Sequence, residues 1–405
     1  MMHLTTPKGF RLHIAIFGRT NVGKSSLLNC LTQQETAIVS EQPGTTTDPV
    51  EKPMELLPIG PVLFIDTAGL DDLGALGKLR VDKTLKVFDR ADVILLVVEP
   101  NQWTEYERFI VQEAQKRNTP LLLVVNKIDI QPTTDSVKKK IIESRLPFVE
   151  VCSTKAGWQT TETVKNKLIE ILPESFFTPP PIISDLIEEG DWVVLVIPVD
   201  KEAPKGRIIL PQQAVLREIL DRRAHAVVTS EKKLPRILAS LTIKAKLVVT
   251  DSQVLEEVLH ATPPDIPLTS FSILFARCKG DLDYFVQSVS TVDTLEEGNR
   301  VLIAEACTHH PIGDDIGRKK IPRWLQERTG KHIIFDWCTG KDFPDHLVDY
   351  QLIIHCGACM FNRKEMLARI YKAKSLGIPM TNYGVLIAFL KRGLSRALEV
   401  FSFPK

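Results

Sequence analysis

Short apolar runs rich in Val, Ile and Leu alternate with stretches whose apolar residues recur every three or four positions. A run that is apolar on both faces suits a buried strand of a parallel sheet, and the amphipathic stretches suit crossover helices. In the first third this pattern predicts strands at Leu12–Phe17, Val62–Asp66, Val93–Val98, Leu121–Asn126 and Phe148–Cys152. The segment PESFFTPPP, Pro173–Pro181, cannot continue a helix and reads as a stiff linker. The middle third repeats the pattern on a smaller scale. Strand-like Trp192–Val199 leads to helical Gln212–Arg223, Ala226–Thr229 to Leu234–Leu241, and Leu247–Thr250 to Val254–His260. Three such units make a marginal sheet, so pairing with a second copy through an open edge is expected. Thr262, Pro263, Pro264 and Pro267 mark another boundary, followed by strand candidates Val301–Glu305, Ile333–Trp337, Leu352–His355 and Ile378–Asn382. The fold class is therefore α/β: a doubly wound sheet over 1–172, a linker over 173–181, a small parallel α/β dimerisation domain over 182–262 and a C-terminal α/β domain over 263–405.

Composition narrows the functional classes. The 405 residues are 44% hydrophobic and 25% charged, which is enough apolar material for packed domains. A net charge of +1 gives no global field toward nucleic acid or a membrane surface. The longest apolar runs, such as Val93–Val98, are far too short to span a bilayer, and Met1 to Phe10 has no signal-peptide core. A cytoplasmic location is expected, with neither membrane nor nucleic acid as partner. Seven cysteines, an odd number in a chain of this size, argue against a disulfide framework. Four of them, Cys307, Cys338, Cys356 and Cys359, fall in the last 100 residues, which points to a metal or redox site there.

The first chemistry-bearing motif is Gly18-Arg19-Thr20-Asn21-Val22-Gly23-Lys24-Ser25, followed by Ser26. It matches G-x-x-x-x-G-K-[ST] and sits between a strand and a helix, the context such a loop needs. Its glycines let backbone N–H groups close around phosphates, and the helix N-terminus adds positive potential. Lys24 reaches the β- and γ-phosphates, and the Ser25 hydroxyl binds Mg²⁺. Asp66-Thr67-Ala68-Gly69 ends the next strand, where the Asp66 carboxylate can hold Mg²⁺ through water and the Gly69 N–H can meet a γ-phosphate. Asn126-Lys127-Ile128-Asp129 ends a later strand, and Asp129 can accept both N–H groups of a guanine edge. Ser153-Thr154-Lys155 suits the guanine O6. In order, spacing and strand-end placement these motifs resemble the translation-factor class of small GTPases from Arg11 to Leu172, in particular the TrmE/Era-like type. Gly44-Thr45-Thr46-Thr47-Asp48 resembles the effector loop of tRNA-modifying and ribosome-assembly GTPases, with Thr47 in place of Arg. The resemblance makes Thr46 the threonine that closes on Mg²⁺ and the γ-phosphate, and adds Thr45 to the nucleotide contacts. It implies GTP hydrolysis supported by Lys24, Thr46 and Gly69. Leu70 stands where Ras-type enzymes keep a water-orienting Gln. Asn21 resembles the asparagine that related GTPases use to hold K⁺, so slow, K⁺-stimulated hydrolysis is expected. Asp71 and Asp72 read better as solvated loop residues than as water-positioning groups.

The second constellation is Cys307-Thr308-His309, then 45 residues, then His355-Cys356-Gly357-Ala358-Cys359. Two strand ends at the carboxyl edge of a parallel sheet can bring these thiolates together. Three cysteines with spare histidines fit either Zn²⁺ or an iron–sulfur cluster. The fourth position stays open among His309, His310, His355, Glu305 and Cys338. The C-x-H…H-C-x-x-C pattern behind a GTPase domain and a βα middle domain resembles the HydF family, the GTPases of iron–iron hydrogenase maturation. That resemblance spans nearly the whole chain. It implies a 4Fe–4S cluster held by Cys307, Cys356 and Cys359, with His309 and His355 also in the motif. It further implies a scaffold that carries the di-iron subcluster precursor to apo-hydrogenase, two radical-SAM maturases as partners, and a homodimer through the middle domain. The basic run Arg318-Lys319-Lys320 reads more readily as a solvated face than as a seat for an anionic precursor. A second functional class, an assembly GTPase on RNA or ribosomes with a zinc module, is disfavoured by the near-zero net charge and the lack of an RNA-binding motif. A redox enzyme has no flavin or second-cluster motif behind it.

Overall fold

The computed structural model describes residues 6–32, 49–67, 84–154, 157–173, 176, 180–198, 208–306, 315–340 and 342–401. The chain divides into two compact units, Met1–Pro179 and Pro180–Lys405.

The first unit holds a six-stranded sheet in the order β2-β3-β1-β4-β5-β6. Its strands are β1 (Leu12–Phe17), β2 (Val50–Leu56), β3 (Gly60–Asp66), β4 (Val93–Val98), β5 (Leu121–Val125) and β6 (Phe148–Glu150). All pairings are parallel except β2 on β3. The run-of-apolar signal has its cause in burial on both faces. Ile14 and Ile16 of β1 pack on one side with Leu27, Leu28, Leu31, Val164 and Leu168, from the helices Lys24–Thr32 and Gly157–Ile171. Ala15 and Phe17 pack on the other with Ile110, Ala114, Val137 and Ile141, from the helices Glu105–Lys116 and Asp135–Ser144. Strand β2 was not among the expected strands. Its burial alternates only weakly, and Pro53 lies within it. Both features fit an edge strand, where a missing N–H costs no ladder bond.

The second unit holds two four-stranded, all-parallel sheets. One has the order β10-β9-β7-β8, from β7 (Trp192–Val196), β8 (His225–Thr229), β9 (Leu247–Thr250) and β10 (Leu268–Ser270). It thus has four strands, not the three expected. Leu268–Ser270 is only three residues long and follows three prolines, so it carries no strand-length signal. The other sheet has the order β12-β11-β13-β14, from β11 (Arg300–Glu305), β12 (Ile334–Thr339), β13 (Leu352–His355) and β14 (Met380–Asn382). One continuous core runs beneath both sheets, from Ile182 to Phe401. No helix among the described residues is long and apolar enough to cross a membrane.

Candidate functional site

The phosphate loop joins the carboxyl end of β1 to the helix Lys24–Thr32. Gly18 has φ +153°, and a Cβ there would lie 2.5 Å from the Val97 carbonyl oxygen. Gly23 has φ +95°, and a Cβ there would collide with the Asn126 amide nitrogen. Both positions therefore need glycine for conformation and for space. Asn21 also takes the left-handed region, at φ 62°. The Lys24 ammonium is buried and folds back on the loop, donating to the carbonyls of Gly18 at 2.5 Å and Arg19 at 2.8 Å. An ammonium ringed by the loop's own carbonyls is poised to exchange them for phosphate oxygens. Ser25 and Ser26 follow in the first turn of the helix and are half-buried.

Three further segments close on this loop. Asn126, fully buried at the end of β5, donates to the Val22 carbonyl at 3.0 Å and accepts from the Ser153 N–H at 3.1 Å. It thereby ties the phosphate loop to the loop after β6. Lys127, at φ 65°, donates to the Asn21 carbonyl at 2.5 Å and to Glu99 at 2.6 Å. Asp66 ends β3 opposite Ile16 and is buried, and the Thr67 hydroxyl donates to the Ile16 carbonyl at 2.6 Å. Asp129 lies in the turn after β5 and is exposed, as is Thr154 after β6. Arg19 anchors the loop from outside through Glu107 at 2.8 Å. Glu107 is itself held by the Thr104 N–H at 2.6 Å in a capping box at the start of Glu105–Lys116.

The second unit gathers its chemistry at the carboxyl edge of the sheet β12-β11-β13-β14. Ala304 lies opposite both Cys338 of β12 and His355 of β13. Just past these ends, the Cys356 N–H donates to the Ala304 carbonyl at 2.9 Å and the Ala306 N–H donates to Cys356 Sγ at 3.1 Å. The chain leaving β11 toward Cys307 is thus pinned to the first cysteine of the C-x-x-C turn. An N–H aimed at sulfur is what an anionic thiolate ligand uses. This donor set therefore fits a thiolate-held cluster.

His355 is fully buried. Its Nδ1 lies 2.9 Å from the Cys356 carbonyl, and its Nε2 lies 3.1 Å from the Arg369 guanidinium. Arg369 donates to Nε2, so Nδ1 carries the proton. Burial, helped by Arg369, pushes this histidine down to about 3. Both of its nitrogens meet protein partners, so in this arrangement it props the Cys356 backbone. Arg369 also donates to the Gly340 carbonyl at 2.6 Å and lies between the rings of Phe343 and Phe361. Burial pushes the Cys338 thiol up to about 11, so it stays protonated at neutral pH. Glu305 is buried at the end of β11 and accepts from the Tyr383 hydroxyl at 3.3 Å.

Of the expected site residues, Thr45, Thr46, Gly69, Lys155, Cys307 and His309 lie outside the described residues, as do His310, Thr47 and Leu70. Gly18, Asn21, Val22, Gly23, Lys24, Asn126, Lys127 and Ser153 come together around one loop. Cys356 and Cys359 share one turn. Among the described residues no group of three or more His, Cys, Asp or Glu stands together as a metal would need. Two functional candidates were not foreseen. Arg369 and Lys279 reach this turn from the helices Arg363–Ser375 and Phe271–Lys279, both far from the motif in sequence or without a marked spacing.

Three family profiles match this chain. The one described as the hydrogen maturase F tetramerization domain matches residues 283–400, and the one described as the hydrogen maturase F dimerization domain matches residues 182–280. Together these two cover more than half of the chain. A third, described as a 50S ribosome-binding GTPase, matches residues 13–127. The tRNA modification GTPase MnmE of Synechocystis sp. is 41% identical over 121 residues, 29% of this chain and 26% of that protein. GTPase Era of Caldanaerobacter subterraneus subsp. tengcongensis is 30% identical over 208 residues, 48% of this chain and 68% of that protein. A solved Era structure from Aquifex aeolicus matches 56% of this chain and 97% of its own at 21% identity, with a TM-score of only 0.35. The chain spans about a quarter of the MnmE relative. With both hydrogen maturase F profiles filling the second unit and MnmE- and Era-like sequence filling the first, the chain belongs to the hydrogen maturase F family.

Proposed function

We propose that this chain binds and hydrolyses GTP and serves as scaffold and carrier in iron–iron hydrogenase maturation. In this reading Gly18, Asn21, Val22, Gly23, Lys24, Ser25 and Ser26 hold the phosphates, with Ser25, Thr46 and Asp66 at Mg²⁺. Asn126, Lys127, Asp129, Ser153, Thr154 and Lys155 hold the guanine, Thr45 and Gly69 complete the γ-phosphate contacts, and Asn21 holds K⁺. Lys24, Thr46 and Gly69 stabilise the charge that develops on the transferred phosphoryl group. Cys307, Cys356 and Cys359 would hold a 4Fe–4S cluster, and the protein would carry the di-iron precursor for delivery. His309 remains a candidate beside them, while His355 orients the Cys356 turn. The substrate-side partners are apo-hydrogenase and two radical-SAM maturases. Dimerisation uses the middle sheet, in line with the name of the profile that matches residues 182–280, and the profile that matches residues 283–400 is named for tetramerization. The GTPase part acts as a switch, ordered by the γ-phosphate and released on hydrolysis.

The observation that carries the cluster assignment is the Ala306 N–H on Cys356 Sγ at 3.1 Å. It brings the approach to Cys307 beside the C-x-x-C turn although the two lie about 50 positions apart. Anaerobic reconstitution with iron and sulfide, then EPR, tests it. A reduced-cluster signal in the wild type that is lost in Cys307→Ala, Cys356→Ala and Cys359→Ala is expected. A protein that takes up only zinc and shows no cluster signal would defeat the reading.

A further inference from the structure

Lys279 is the last residue of the helix Phe271–Lys279, and only 3% of it is exposed. Its ammonium does not reach solvent. It donates to three carbonyls of one turn: Phe361 at 2.7 Å, Cys359 at 3.2 Å and Ala358 at 3.4 Å. A lysine has three donors, and these three acceptors can occupy all of them. The turn so held is the one that carries Cys356 and Cys359. Ala358 within it sits at φ 50°, a conformation an alanine adopts only when its surroundings impose it.

Burying an ammonium is costly unless negative charge or dipoles offset it. Burial pushes this ammonium down to about 8, only partly offset by the neighbouring Cys359, Cys278, Cys356 and Glu365. Two of the first three are the C-x-x-C cysteines. Arg363, the first residue of the helix Arg363–Ser375, donates to the carbonyls of Cys278 and Gly280 and so fixes the end of the helix that bears Lys279. A cation hydrogen-bonded to the turn of Cys356 and Cys359 is stabilised further by the negative charge those cysteines acquire as thiolate ligands. By reciprocity it stabilises the more negative, reduced state of whatever those thiolates hold.

Resting on the cluster reading above, we infer that Lys279 is a positioning residue of the cluster site. It holds the Cys356–Phe361 turn in its ligating shape and, through its buried positive charge, raises the reduction potential of the bound cluster. Removing the charge disfavours the reduced state.

The test uses the full chain reconstituted anaerobically with iron and sulfide. Wild type, Lys279→Met, Lys279→Gln and Lys279→Arg are compared by iron content, thermal melting and EPR-monitored titration with dithionite through redox mediators. Lys279→Gln keeps donors for the carbonyls but loses the charge, and Lys279→Arg keeps the charge. The expected result is a potential lowered in Lys279→Gln and Lys279→Met and near wild type in Lys279→Arg. At a fixed potential the reduced-to-oxidised ratio should fall about tenfold, which is about 59 mV for a one-electron couple. A role limited to folding would change melting and iron content and leave the potential in place. A potential unchanged in any neutral variant that folds and holds the cluster would overturn the inference, as would folded neutral variants whose iron content and potential both equal wild type. Failure of the wild type itself to show a cluster signal would instead sink the cluster reading, so the two failures are distinguishable.

Discussion

The phosphate loop and the cysteine turn are assembled in opposite ways. In the first unit the donors are contiguous: eight residues, Gly18 to Ser25, supply backbone N–H groups, an ammonium and a helix start. Neighbouring strand ends then brace that loop through Asn126 and Lys127. In the second unit nothing is contiguous beyond Cys356–Cys359. The register of parallel strands brings Ala306 to Cys356, and two buried cations, Lys279 and Arg369, arrive from separate helices. A contiguous site tolerates little change in its backbone but little depends on distant packing. A dispersed site depends on the core that holds its strands and helices in register.

That contrast can be broken at specific residues. The largest effect is expected from Gly23→Ala. At φ +95° and against the Asn126 amide, an added methyl must distort the loop. GDP affinity measured by calorimetry should fall on the order of a hundredfold, about 2.7 kcal/mol. An affinity within threefold of wild type would mean that the loop reshapes freely when nucleotide binds.

Next in size is Arg369→Met, directed at the dispersed site. It removes a charge-assisted bond to His355, another to the Gly340 carbonyl and two ring contacts. Unfolding of the second unit should cost roughly 2 kcal/mol less, from lost bonds to a charged group. Denaturant titration of the full chain checks this, and an unshifted transition for that unit would show that the strand edge does not need the arginine.

A smaller effect tests the first site's cation. With Asn21 holding K⁺, GTP hydrolysis in KCl should exceed that in NaCl by about tenfold, a barrier change of about 1.4 kcal/mol. Equal rates would remove K⁺ from the account. The smallest effect is expected at Cys338. Its thiol, raised by burial to about 11, should stay unmodified by iodoacetamide at pH 7.5, and Cys338→Ala should retain the cluster signal. Loss of that signal would make Cys338 a ligand.

The same contrast explains what could be read in advance. The segments that the structure brings together around the phosphate loop were legible because their spacing is local and most of them follow strongly apolar strands. The parallel sheets were legible for the same reason. Strand β10 was not, since three residues after a proline-rich stretch carry no periodicity. Nor was β2, where Pro53 interrupts the alternation. His355 sits beside Cys356 in sequence and reads as a ligand candidate, yet burial and Arg369 turn its ring inward. Lys279 ends a helix that also carries Arg277, nothing in its spacing marks it, and only tertiary packing brings it to the Cys359 carbonyl, 80 positions later.

In the proposed function the second unit holds a thiolate-ligated cluster and the first unit a nucleotide. The most direct measurement is EPR of the full chain after anaerobic reconstitution with iron and sulfide and reduction with dithionite. The account predicts a 4Fe–4S signal that Cys356→Ala and Cys359→Ala each abolish. A protein that binds zinc alone, or a cluster signal that survives both substitutions, would contradict it.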